Sequence, residues 1–177
     1  TPQNSCDPYI KPGVAAFRNL VLAEYQEADT AEWGIVRHCS APGSSEHEVG
    51  RAWDWHVDVG DAAHLAAATD LLDWLTADGP EGQPGYFARS LGIMYMIYDQ
   101  KIWGSYRADE GWRAMSDRGS RTSNHKDHVH FSFSWDGARK RTSWWTGTAG
   151  AEDFGPCRPY KNQPAPVHSS SPNTTQC

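Results

Sequence analysis

SSEHEVGRAWDWHVD, residues Ser44 to Asp58, places His47 seven positions before Asp54, with a glycine between them and a tryptophan on each side of the aspartate. The second half of this stretch decides the fold. From Ala52 to Val59 the chain alternates, with Ala52, Asp54, His56 and Asp58 on one face and Trp53, Trp55, Val57 and Val59 on the other. That period of two predicts a strand with an apolar back and a polar front. Its back needs a covering layer, and its front is left for chemistry.

Further along, DHVHFSFSW (127–135) repeats the pattern, with His128, His130, Ser132 and Ser134 opposite Val129, Phe131 and Phe133. PGVAAFRNLVLAEYQ, from Pro12, has Val14, Phe17, Leu20, Val21 and Tyr25 at helical spacing behind a proline suited to a helix start. DAAHLAAATDLLDWLTAD (61–78) predicts the clearest helix, opening on an aspartate, and PGYFARSLG (84–92) a shorter one. IMYMIYDQKIWGSY (93–106) predicts a hairpin turning at Asp99-Gln100. Helices flanking a mainly antiparallel sheet define an α+β class. The expected organisation is an N-terminal arm over 1–11, one domain over 12–150 and a Pro/Ser-rich tail over 151–177, without internal repeats.

The 177 residues suffice for one hydrophobic core. A net charge of −6, with no basic run beyond Arg139–Arg141, argues against a nucleic-acid partner. No apolar stretch approaches the roughly 20 residues of a membrane span. The opening TPQNSC is not a signal peptide, and starting on Thr suggests a leader already removed. Cys6, Cys39, Cys157 and Cys177 never show CxxC spacing, and their even number reads as two disulfides in an exported protein. Of three connectivities, Cys6–Cys39 with Cys157–Cys177 closes moderate loops, each bridge contributing roughly 3 kcal/mol. The protein is expected to be secreted, extracellular or wall-associated, and monomeric.

If the two polar-faced strands are neighbours, His47, Asp54 and one of His128 and His130 converge. Two imidazoles and one carboxylate with an open fourth position form the donor set of a catalytic zinc site. The bland alternative is a capped turn leading into a half-buried strand with a solvated front.

SEHEVGRAWD (Ser45 to Asp54) matches SxHxxGxAxD and thereby resembles the zinc D-alanyl-D-alanine peptidases, whose superfamily includes lysostaphin-type endopeptidases and the hedgehog signalling domain. DHVH (Asp127 to His130) is similar to the second element of that family, HxH with an acid three residues before the last histidine. This resemblance covers roughly residues 12–135; more narrowly, through CDPYIKPGVAAF, GIVRHCS, SEHEVGRAWDW and DHVHFSFSW the chain looks like a set of secreted bacterial and fungal members. The resemblance implies a hedgehog/DD-peptidase-like fold, a zinc cofactor on His47, Asp54 and His130, and hydrolysis of amide bonds in peptidoglycan stem peptides or other D-amino-acid peptides. It implies Asp127 as general base with His128 assisting at the oxyanion; in an endopeptidase branch, His128 takes the larger role. It implies Arg37 as the holder of a substrate carboxylate, a task suited to a guanidinium; the alternative is a plain surface arginine. Ser45 either orients a ligand or forms a turn. Gly50 relieves the backbone between the two ligands, and Ala52 leaves room for substrate.

His56 and Asp58 are either outer partners of the ligands or plain polar strand residues, the latter favoured for Asp58. His125 is a candidate flank of the cleft, and Trp103, Tyr106 and Trp112 either line a groove or, as most of the nine tryptophans must, pack in the core or an interface. Two rival functions remain. One is a catalytically silent, zinc-stabilised binding module. The other is a metal-independent two-histidine phosphoesterase built on the HxS units His38–Ser40 and His130–Ser132.

Overall fold

A computed structural model describes residues 6–25, 34–41 and 45–148. The tail, the end of the expected domain at 149–150 and the expected Cys157–Cys177 bridge lie outside these residues. Among the described residues, five helices and five strands follow one another as α1 (Pro12–Glu24), β1 (Ala52–Trp55), α2 (Ala62–Thr76), α3 (Tyr86–Ser90), β2 (Ile93–Tyr98), β3 (Lys101–Gly104), β4 (Arg113–Ala114), β5 (Val129–Phe133), α4 (Trp135–Ala138) and α5 (Ser143–Thr146). Short 3-10 helices span Glu46–Val49 and Ser105–Glu110. The strands form one antiparallel sheet in the order β1-β5-β2-β3-β4, so the α+β expectation holds. Among the described residues, no helix is long and apolar enough to cross a membrane.

The back of the sheet is the core. Trp53 and Phe131 face each other in register and stack with centroids 5.5 Å apart. Phe17 of α1 meets Trp53, Phe131 and Phe133 edge-on, at 6.0, 5.1 and 5.5 Å. Ala68, Leu71, Leu72 and Leu75 of α2 join the same cluster. Helix α2 starts where expected, since the Asp61 carboxylate accepts from the amides of Ala63 and His64. Gly13 of α1 lies so close to α4 that a Cβ there would meet the Gly137 carbonyl oxygen at 2.0 Å.

The hairpin turns at Asp99 and Gln100 as expected, both with positive φ (44° and 58°). Strand β1 is shorter than expected. The chain leaves the sheet after Trp55, because Asp58 opens a turn by accepting from the Gly60 amide. The strands are also not uniform in phase. Ile93 pairs with Phe133 and Tyr95 with Ser132, so β2 carries a bulge at Met94. The bulge leaves Ile93 against the core and brings Tyr95 to the front beside Ser132. Trp103 does not line a groove; it is 1% exposed and packs under Gly85.

The disulfide joins Cys6 to Cys39, as expected from loop size. It ties the N-terminal arm to the segment before the first 3-10 helix. The Asp7 amide donates to the Glu48 carbonyl and the Lys11 amide to that of Gly50.

Because Phe17 touches three aromatic side chains of the sheet, Phe17→Ala is expected to lower unfolding stability by about 3–5 kcal/mol. Urea titration with the metal removed measures this, and a loss below about 1 kcal/mol would contradict the packing described.

Candidate metal centre

The antiparallel register sets Asp54 of β1 directly opposite His130 of β5, both on the front. The His130 Nδ1 and Asp54 Oδ1 are 2.8 Å apart. The turn before β1 supplies the third group, His47, whose Nε2 lies 3.3 Å from each of these atoms. Its turn is shaped by two residues of the motif. Ser45 caps the 3-10 helix, its Oγ accepting from the His47 amide. Gly50 ends it at φ 61°, where a Cβ would also strike the Tyr9 carbonyl oxygen at 2.0 Å. The structure thus gives Ser45 the turn-forming place and bears out the reading of Gly50. Ala52 does not open space for a substrate: it and its partner Ser132 are fully buried.

Among the described residues these three side chains form a group able to hold a metal. A tetrahedral zinc with bonds near 2.0–2.1 Å spaces its ligand atoms by roughly 3.3 Å; the two edges to His47 Nε2 have that length, and the third, 2.8 Å, is closed by the His130–Asp54 hydrogen bond that an ion would replace. The tautomer fits too. The His47 Nδ1 donates to the Ile35 carbonyl at 3.2 Å, which leaves Nε2 as the coordinating nitrogen. The donor set suits zinc or another divalent ion.

His128 and Asp127 stand beside the trio as a linked pair. The His128 Nδ1 donates to Asp127 Oδ1 at 2.8 Å, while His128 Nε2 lies 3.8 Å from Asp54 Oδ1. The other Asp127 oxygen accepts from the Thr122 hydroxyl. Histidine is therefore the member of the pair that faces the trio, with the carboxylate behind it. His125 completes the wall. Its ring lies 4.7 Å from that of His128 and 5.8 Å from that of His130, with its Nδ1 donating to the Ser123 carbonyl. Burial, and the charges of His128 and His130, push its pKa down to about 4.

The loop carrying these groups is pinned at several points. The Asp99 and Gln100 amides donate to the carbonyls of His125 and Asn124, and the Val59 amide to that of Lys126. Asn124 bridges Arg118 and Asp117. Asp58 forms an ion pair with Arg121 at 2.6 Å, so it holds the loop and does not touch the ligands. His56 faces His64, with ring centroids 6.2 Å apart. Arg37 lies alongside, its amide donating to the His47 carbonyl and its guanidinium bound to Glu48 at 2.8 Å.

Two residues of the site had no signature in the chain. Tyr95 stacks on His130 with centroids 5.5 Å apart and planes at 24°, and its hydroxyl donates to Glu46 at 2.7 Å. Burial and the nearby Glu46 charge push the Tyr95 phenol up. The phosphoesterase reading loses its basis, since His38 is exposed and bonded to Ser40, whereas Ser132 is fully buried.

Burial pulls His47 down, but the hydrogen bond and charge of Asp54 outweigh it and hold the imidazole above its ordinary 6.5. Burial likewise pushes Asp54 up, yet the bonds from His130 and His47 hold its carboxyl far below the ordinary 3.8. A raised histidine stabilises the fold fully below 6.5 and loses this contribution as pH rises through its folded value; a lowered aspartate stabilises above 3.8 and loses this as pH falls. The metal-free protein is therefore expected to be most stable between those limits, and His47→Gln to flatten the upper limb in urea titrations at several pH values. The affinity of the trio for a divalent ion such as zinc is expected to run the other way, falling as pH drops through the His47 value, because an imidazole has to shed its proton to coordinate. Affinity unchanged between about pH 5 and 8 would contradict histidine ligation.

A family model described as the VldE C-terminal domain matches residues 6–126, more than half of the chain. The matched span includes His47 and Asp54 and stops just before Asp127, His128 and His130. Neither the curated proteins nor the solved structures compared yielded a match. The chain thus belongs to the VldE C-terminal domain family.

Proposed function

We propose that the protein is a secreted zinc metallopeptidase that hydrolyses amide bonds of peptidoglycan stem peptides or similar D-amino-acid peptides. The observation that carries this reading is the meeting of His47, Asp54 and His130 beside an inward-facing His128. The SxHxxGxAxD and HxH motifs support the substrate class by resemblance to the zinc D-alanyl-D-alanine peptidases. The Cys6–Cys39 bridge supports an oxidising compartment.

His47, Asp54 and His130 would hold the ion. When bound, zinc supplies Lewis acidity, polarising a carbonyl and making water nucleophilic near neutral pH. Of the two arrangements the resemblance allows, the hydrogen bond from His128 to Asp127 favours His128 as the base, with Asp127 behind it. Asp127 fixes the His128 tautomer, and His128 Nε2 takes a proton from the attacking water. The same nitrogen returns that proton to the leaving amine as the carbon–nitrogen bond breaks. Arg37, steered by Glu48, stands beside His47 to receive a substrate carboxylate.

The test pairs zinc analysis with mass spectrometry of digested peptidoglycan and of peptides ending in D-Ala-D-Ala. His130→Ala is expected to lose zinc and activity together; full activity would refute the site. His128→Ala is expected to keep zinc and lose roughly 10²–10⁴-fold in kcat. If His128→Ala stays active while Asp127→Ala does not, the base is Asp127. Arg37→Ala is expected to raise KM for peptides with a free terminal carboxylate and to spare internal bonds. A wild-type chain that binds zinc and cleaves none of these substrates would point to the binding-module reading instead.

A further inference from the structure

We infer that Tyr95 and Glu46 form a positioning pair that braces the two halves of the metal centre against each other. The inference rests on the zinc reading above, but not on the proposed peptidase activity. The ligands come from separate parts of the chain: His130 from the sheet, His47 from the 3-10 helix over Glu46–Val49. Their relative placement is fixed by whatever spans that seam. Tyr95 spans it with both ends of its side chain. Its ring lies nearly parallel to His130 at 5.5 Å, and its hydroxyl donates at 2.7 Å to Glu46, the residue immediately before His47.

Both residues are placed for this by the backbone. The bulge at Met94 turns Tyr95 onto the front face, opposite Ser132 and diagonal to His130. Glu46 is held from its backbone as well, its carbonyl accepting from the Arg51 amide at 2.9 Å. Groups hydrogen-bonded to metal ligands usually contribute about 10–100-fold to affinity; this pair touches one candidate ligand by stacking and the other through its sequence neighbour, so the lower end of that range is expected.

The experiment is a competitive zinc titration of the full chain with a chromophoric chelator, repeated with cobalt to read the visible ligand-field spectrum. Tyr95→Phe keeps the ring and removes the bond to Glu46; it is expected to weaken zinc binding at least tenfold and to shift the cobalt spectrum. Glu46→Gln retains an acceptor for the tyrosine hydroxyl and is expected to stay within about threefold of wild type. Tyr25→Phe loses a comparable 2.6 Å bond to Asp70 on the other side of the sheet and is the control for general loosening. Tyr95→Phe with wild-type affinity and spectrum would overturn the inference, as would an equal loss in Tyr25→Phe. A wild-type chain that binds no zinc would overturn it together with the zinc reading, whereas one that binds zinc and cleaves nothing would leave it standing.

Discussion

The pairing of Asp54 with His130 across β1 and β5 is the constraint on which the rest depends. A strand has a period of two, so a slip of one residue would turn either side chain into the aromatic core and destroy the site. That register is enforced from behind. Trp53 and Phe131, the adjacent pair on the opposite face, stack on one another and are closed over by Phe17. Fold and site are thus specified by one pattern, in which the apolar back selects the register that the polar front requires.

His47 is positioned differently, by short-range backbone geometry and by attachments to a neighbouring segment. Ser45 caps its turn and Gly50 closes it in a left-handed conformation. The Ile35 carbonyl then sets the ring, and the Cys6–Cys39 bridge ties that segment to the arm lying along Glu48 and Gly50. The disulfide therefore lies in the same stretch of structure as a member of the candidate metal group. The arm, the bridge and the His47 turn form one mechanical unit.

Much of this was legible in the chain. Strict alternation around Asp54 and His130 disclosed two strands and their polar faces, and the Asp99-Gln100 turn and the Asp61 cap lay where local chemistry placed them. Strand alternation brought His47 and Asp54 together with one of His128 and His130, and only the resemblance of the two motifs singled out His130. Other features were not readable, for identifiable reasons. The end of β1 depends on the Asp58 turn and its tie to Arg121. Tyr95 reaches the front only because of a bulge, which a simple alternation in IMYMIY conceals. The order of Asp127 behind His128 comes from a hydrogen bond between sequence neighbours, and no pattern of spacing encodes which of the two faces inward. Ala52, read as an opening for substrate, is buried because its cross-strand partner Ser132 is buried as well.

The most direct test of the central claim is the anomalous difference density of a crystal grown with zinc, recorded on both sides of the zinc absorption edge. The account predicts one edge-dependent peak, bounded by His47 Nε2, Asp54 Oδ1 and His130 Nδ1. A peak bound elsewhere, or none among these atoms, would contradict it.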